Sequence, residues 1–414
     1  MRILALTSRM PYPPMRGDKV RTYHFLRSLS SVHDVDLITF VERADDRAVL
    51  ERELDWLRSI ETIPLAPAAS HASMAAGLFS PLPYQALYYR SRAMRDAVAA
   101  ALADADYDLV YVHLFRMAPF VLGRDGQLSR GPRRPRFVVD LTDAVSVELE
   151  ESLARRSPFL RLPYAWETRK IRRYEAVVAA AFDEVWVISD ADAAAIARAA
   201  PGARIAVVPN GVDETLFALP GPAASPVVLF VGNLSVPHNI DAVDFLARGI
   251  MPHVRRRVEG ATLRVVGAGA GEAMRQAAAE TGFELAGRVP ELADAYRGVT
   301  VFAAPLRFAA GIQNKILEAM AAGVPVVTTP TGNRGLGAPV GEAIAVGAGT
   351  RELADGIAGF LTDDARARAV GAAGREYVRG RFSWDAVRER AEGVAAGRVS
   401  DHLRSVKADG RAGR

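Results

Sequence analysis

The chain contains no cysteine in 414 residues. Disulfides, thiolate nucleophiles, iron–sulfur clusters and cysteine zinc sites are excluded together. Histidine is scarce. His24, His33, His71, His113, His238, His253 and His402 are the full set, and no two stand at an H-x-H or helical spacing. A local histidine-pair metal motif is therefore absent, and a metal site would have to be assembled across the fold. Long apolar runs are missing too. None approaches the ~18 residues needed to cross a bilayer. The opening Ile3-Leu4-Ala5-Leu6 is followed at once by Pro11, Pro13 and Pro14, unlike a signal peptide. The expected location is cytoplasmic, with a peripheral place on the inner membrane face left open. An excess of one charge is lacking as well. The 52 Lys+Arg and 48 Asp+Glu leave a net +4, too little to argue for a nucleic-acid partner.

What the chain does have is a rhythm. Short apolar runs recur at Ile3–Leu6, Val35–Phe40, Leu109–Val112, Phe137–Val139, Val185–Ile188 and Ile205–Val208. They resume at Val227–Val231, Leu263–Val266, Thr300–Ala303 and Val324–Thr328. Helical patterns lie between most of them, as in parallel sheets covered on both faces. Many of the runs end in Gly, Pro, Asp or Ser, where open α/β sheets place ligands. The stretch 209–226 is rich in Pro and Gly and reads as a linker. The expected organisation is a doubly wound domain over 1–208, that linker, and a second such domain over 227–382. A helix over 383–398 and a frayed Arg/Gly-rich tail over 399–414 complete it. Two such domains facing each other across a cleft would suit an elongated ligand.

Basic residues cluster in two places. One is Arg130, Arg133, Arg134 and Arg136. The other is Arg155, Arg156, Arg161, Arg169, Lys170, Arg172 and Arg173, interleaved with Phe159, Leu160, Leu162, Tyr164 and Trp166. The second suits either an anionic membrane surface or a solvated helix face.

Two segments carry candidate chemistry. After the first strand, the loop Thr7 to Lys19 contains Pro11-Tyr12-Pro13-Pro14 and Arg16-Gly17-Asp18-Lys19, and a helix is expected from about Val20. Its periodicity puts Val20, Tyr23, Leu26 and Leu29 inside and Arg21, His24 and Arg27 outside. Gly17 permits a close backbone approach, and the helix start favours an anion. The loop serves either a phosphate or sugar, or only as a proline-stiffened surface turn. The second segment is Ala304 to Val327. A buried strand ends at Pro305, a loop with Arg307 and Gly311 leads into a helix, and Gly323 closes it. Amides at Gly311, Ile312, Gln313 and Asn314 together with Lys315 suit a diphosphate. Glu318, three residues on, suits a pair of ribose hydroxyls, because a carboxylate accepts two hydrogen bonds. The alternative for Lys315 and Glu318 is a surface ion pair.

These residues carry a resemblance. Leu317-Glu318-Ala319-Met320-Ala321-Ala322-Gly323-Val324-Pro325-Val326-Val327, Val208-Pro209-Asn210-Gly211-Val212-Asp213 and Phe382-Ser383-Trp384 occur in order. The chain resembles the glycosyltransferases of family 4, the "glycosyl transferases group 1" type, over nearly its full length. The opening prolines through Gly17-Asp18-Lys19 and the stretch Gly311-Ile312-Gln313-Asn314-Lys315 further resemble the sugar transferases of exosortase (PEP-CTERM) exopolysaccharide systems.

The resemblance implies a GT-B fold: α/β, two Rossmann-like doubly wound domains facing across a cleft. It implies a retaining transfer from a UDP- or GDP-sugar, with no cofactor and no required metal. The donor would lie on the C-terminal domain and the acceptor, a lipid-linked glycan, on the N-terminal one. Glu318 matches the second glutamate of the family's E-x7-E pair, and the first falls on Ala310. The family's Arg and Lys after the "VG" strand end are replaced in Gly232-Asn233-Leu234-Ser235-Val236-Pro237-His238. Charge for the leaving diphosphate would then come from Lys315 and Arg307, with His238 a weaker candidate. Arg288 and Val289 would lie beside the base. Gly267, Ala268 and Gly269 either border the nucleotide or form a plain turn.

His113, at the end of its strand, would contact the sugar or be satisfied by backbone. Asp140 and Asp143 could orient or deprotonate an acceptor hydroxyl, or Asp143 could cap a helix. A nucleotide-sugar 2-epimerase and a non-catalytic partner of the same fold are the alternatives. A nicotinamide dehydrogenase is disfavoured, since prolines stand where its G-x-G-x-x-G turn would be.

Overall fold

The computed structural model describes residues 1–14, 17–43, 46–77, 80–104, 106–123, 125–129, 134–153, 158–309 and 311–395. The chain forms two compact units. The first is Met1–Asn210 with the described residues from Val387 on, and the second is Gly211–Ala386.

The first unit is built on a seven-stranded sheet. Its strands are β1 (Arg2–Thr7), β2 (Asp34–Val41), β3 (Ser59–Pro64), β4 (Leu109–His113), β5 (Arg136–Thr142), β6 (Glu184–Val187) and β7 (Ile205–Val207). All pairs are parallel, in the order β3-β2-β1-β4-β5-β6-β7. The order reverses between β1 and β4, which makes their carboxyl ends the switch point. Val110, Val112, Val138 and Val139 are wholly buried, as strands covered on both faces require. Four helices matter to the site: α1 (Gly17–Ser30), α2 (Tyr84–Tyr88), α3 (Val145–Leu153) and α4 (Pro158–Ala181).

The second unit repeats the plan with six strands. They are β8 (Val227–Val231), β9 (Thr262–Val266), β10 (Glu284–Gly287), β11 (Val301–Ala304), β12 (Val326–Thr328) and β13 (Ala345–Val346). Again all are parallel, in the order β10-β9-β8-β11-β12-β13, with the switch point between β8 and β11. Its helices include α5 (Pro237–Asp244), α6 (Asn314–Ala321) and α7 (Asp364–Phe382). Helix α8 (Trp384–Ala395) begins in the second unit and continues in the first.

The segment 209–226 differs from the expected linker. From Gly211 on it belongs to the second unit, with Val212, Leu216 and Leu219 buried in that core. The prolines and glycines set its irregular backbone, but these apolar side chains anchor it. Among the described residues no helix is long and apolar enough to cross a membrane.

Candidate functional site

In the second unit, the carboxyl end of β11 runs through Pro305 and Gly311 into α6. Gly311 has φ +63°, a left-handed turn that favours glycine. Gln313 occupies the N-cap position without a side-chain cap bond, so its neighbours' amides at the start of α6 are not closed off by that side chain. The Lys315 ammonium donates to Gln313 Oε1 at 3.1 Å. It forms no ion pair with Glu318, so the surface-pair alternative is not what the structure shows. Burial lowers Lys315 to about 8, against the pull of Glu318. Burial raises Glu318 to about 7, with Lys315 and the Tyr296 hydroxyl opposing. Tyr296, from the short helix Leu292–Tyr296, donates to Glu318 Oε2 at 3.4 Å. A cation and a carboxylate therefore sit one turn apart, part-exposed, in poorly solvated surroundings.

The seat of α6 is held by residues the sequence did not flag. Arg375 on α7 donates to the carbonyls of Ala321, Ala322 and Leu219. Its charge caps the carboxyl end of α6, where the helix dipole favours a cation. Gly323 takes φ +70° there, and a Cβ would strike the Arg375 guanidinium.

The other donor-side candidates are placed as follows. Asn233 Oδ1 accepts from the Ser235 amide and hydroxyl, so Asn233 shapes the turn before α5. His238 is the second residue of α5. Gly267 meets β8 at close range: a Cβ would lie 1.8 Å from Gly232 O. Gly267 and Gly269 thus seat the loop after β8. Arg307 donates from Nε and Nη2, one edge of its guanidinium, to the two carboxylate oxygens of Asp241 on α5 and lies over the Phe245 ring. Its charge is already engaged. Arg288 is exposed and Val289 half-buried just after β10. Ile312 is half-buried before α6. Ala310 lies outside the described residues.

In the first unit, His113 closes β4 and is 2% exposed. Its Nε2 lies 3.4 Å from Thr142 Oγ1, and its ring stacks beside Tyr111. Asp140 is 0% exposed. Its Oδ2 accepts from Arg21 Nε at 2.7 Å and Tyr111 Oη at 2.6 Å, and its Oδ1 from the Thr142 amide. Burial raises its pKa, but Arg21, His113 and the hydrogen bonds outweigh that and leave it lowered. Asp140 is a buried anchor, whereas Asp143, just beyond β5, is exposed. The Ser146 amide, in the first turn of α3, donates to Glu175 from α4.

Arg21 corrects the helix periodicity. Expected outside, it is 1% exposed. It also donates to Val208 O, Pro209 O and Asn210 Oδ1. The partner that makes its burial tolerable is Asp140, 119 residues on, which periodicity cannot see. Its charge is therefore not available to the loop after β1. Gly17 is the first residue of α1, and Met15 and Arg16 lie outside the described residues.

Two non-glycine residues at this edge have positive φ: Leu114 (+71°) directly after His113, and Thr142 (+64°) directly before Asp143. Such backbone costs on the order of 1–3 kcal/mol and gathers at functional sites. An open cavity of about 480 Å³ lies elsewhere, at the amino edge of the sheet by Arg134, Arg136, Asp183 and Arg204. Open α/β sheets bind at the carboxyl edge, so the chemistry is not assigned there.

Two family models match the chain. Residues 17–211 match a glycosyl transferase 4-like domain, and residues 225–365 match glycosyl transferases group 1. A GDP-mannose-dependent alpha-(1-6)-phosphatidylinositol monomannoside mannosyltransferase of Mycobacterium tuberculosis is 33% identical over 235 residues. That match covers 49% of this chain and only 57% of the mycobacterial protein. A phosphatidyl-myo-inositol mannosyltransferase of Mycobacterium leprae is 26% identical, over 78% of this chain and 84% of its own. Among solved structures, sucrose-phosphate synthase of Thermosynechococcus elongatus aligns with a TM-score of 0.62 at 17% identity, over 96% of this chain and 98% of its own. Anabaena HepE in complex with UDP and glucose gives 0.62 at 17%, over 96% and 100%.

Proposed function

We propose that the chain, whose two halves match glycosyl transferase family models, moves a hexose from a UDP- or GDP-sugar to an acceptor hydroxyl, with retention of anomeric configuration. The acceptor we assign is a lipid-linked glycan, in the building of an exopolysaccharide or other surface glycan. The exosortase-associated systems are the setting that the resemblance suggests.

One observation carries the reading. The amino end of α6, Lys315 and Glu318 stand together just past β11, at the switch point of the second sheet. In the transfer, the anomeric carbon's bond to the diphosphate breaks and a bond to the acceptor oxygen forms. The departing diphosphate gathers charge. Lys315 and the amides leading into α6 are the groups that stabilise it there. Its binding would also restore the full charge of Lys315, since an anion opposes the lowering by burial. Glu318 as a carboxylate would accept from both ribose hydroxyls, with Tyr296 holding its other flank. In the first unit, Asp143 is the exposed carboxylate for the proton the acceptor hydroxyl loses, and His113 is the strand-end group for the sugar. The mycobacterial relatives named for GDP-mannose and phosphatidylinositol substrates, and HepE with UDP, support a nucleotide sugar and a lipid acceptor.

The test begins with a thermal-shift series of nucleoside diphosphates, because a ligand of the native state raises Tm. A rise with GDP or UDP is expected. No shift with any nucleoside diphosphate at millimolar concentration ends the reading. Labelled GDP-mannose and UDP-glucose then separate the alternatives. Label in a lipid extract supports transfer, an altered sugar still on its nucleotide marks a 2-epimerase, and binding without turnover marks a non-catalytic partner.

A further inference from the structure

Helix α4 is out of proportion to the strand it leads into. Its 24 residues rise about 36 Å, while the four of β6 span about 13 Å. The helix ends at Ala181, just before β6 starts at Glu184. Its first half therefore stands beyond the carboxyl edge of the sheet, the edge that carries His113 and Asp143.

That overhang is dressed unlike an ordinary solvated helix. Leu162, Trp166, Arg169, Arg173 and Val177 fall within an arc of about 80° around the helix. Leu162 is 82% exposed, Trp166 53% and Val177 49%. Arg169 and Arg173 are exposed between them, and no carboxylate among the described residues pairs with either. Arg172, on the flank, is held by Glu150. Both acids of the helix turn inward: Glu167 accepts from the Tyr84 amide at 2.6 Å, and Glu175 from the Ser146 amide. The outer face offers only apolar and cationic groups. A soluble neighbour would need matching carboxylates around an apolar socket. A lipid surface supplies anions and an apolar boundary layer at once. Indole rings settle at that boundary, and arginines reach up from it to phosphates.

We propose that this face of α4 docks on an anionic lipid bilayer, with Leu162 and Trp166 in the headgroup layer and Arg169 and Arg173 on lipid phosphates. This deepens the lipid-linked acceptor reading and rests on it for its purpose. The docking itself is read out without donor or transfer, so the two fail separately.

The experiment floats the whole chain with vesicles of phosphatidylcholine alone or mixed with phosphatidylglycerol, at low and high salt. Binding is expected only with phosphatidylglycerol and only at low salt, since exposed charges are screened. Arg169→Glu with Arg173→Glu should lower the bound fraction about tenfold or more, because surface attraction scales with basic residues. Leu162→Ser with Trp166→Ser should do the same. Both double variants should keep the parent Tm and its shift with GDP or UDP. Trp166→Phe should still bind but lose most quenching of tryptophan fluorescence by brominated lipid. A parent that stays at the bottom at low salt overturns the proposal. So do equal binding to neutral vesicles, variants that bind like the parent, or a stable dimer that the Leu162/Trp166 variant splits.

Discussion

Burial pushes the Glu318 carboxyl up to about 7 and the Lys315 ammonium down to about 8, so each is poised near neutrality. Glu318 stands above its ordinary 4.5, which means that the fold favours its proton. The stability it contributes is complete below about 4.5 and is lost as pH rises through about 7. Lys315 runs the other way: its burial penalty is complete below about 8 and fades towards its ordinary 10.5. Glu318→Gln cannot ionise. Its Tm should match the parent's near pH 4.5 and exceed it by pH 8, with about 2–4 °C for each kcal/mol relieved. The same variant should lose about 10–100-fold in nucleotide affinity, the worth of charge-assisted hydrogen bonds to the ribose. Calorimetry at pH 8 reads both sides, and an unchanged affinity rejects the ribose assignment. Lys315→Ala should slow labelled-sugar transfer by about tenfold or more and raise the donor KM. Transfer equal to the parent's removes Lys315 from the diphosphate.

At the scale of elements, α6 works only if it is held in place. Arg375 satisfies the Ala321, Ala322 and Leu219 carbonyls together, and so ties the carboxyl end of α6 to the segment that opens the second unit. Arg375→Met keeps much of the packing stem but leaves those acceptors short of a donor. It should cost roughly 1.5–3 kcal/mol in urea unfolding and weaken nucleotide binding through α6. A stability equal to the parent's would show that water replaces the guanidinium. These elements were unevenly legible. The buried central strands announce themselves as apolar runs, and each expected run coincides with a strand to within three residues at either end. The strands β3, β10 and β13 carry no such run. All three are edge strands, half-solvated or very short, where apolar continuity is not required. The α6 segment was legible because its helix stop, loop glycine and charged pair are local. Arg21, Tyr296 and Arg375 were not, because each acts on partners 19 to 189 residues away in sequence.

The whole molecule is two doubly wound units in one chain, yet the chain cannot be cut into them at a single point. The described residues from Val387 on belong to the first unit, although the second unit precedes them. Val387, Ala391 and Val394 on α8 are buried, and Glu392 Oε1 meets His33 Nε2 at 3.0 Å just before β2. A chain ending at Ala386 keeps Trp384, whose ring leaves no room for a Cβ at Gly211 in the second unit. It loses the burial of two valines from the first, roughly 3–6 kcal/mol at 1.5–3 for each such side chain. Two cores of this size can unfold separately. The shortened chain should therefore lose amide-exchange protection in β1 and β2 while β8 to β12 stay protected. Its Tm shift with GDP or UDP, expected from the donor site proposed in the second unit, should persist. Loss of protection in the second sheet, with the first untouched, would reverse the assignment of α8 and place it with the second unit instead.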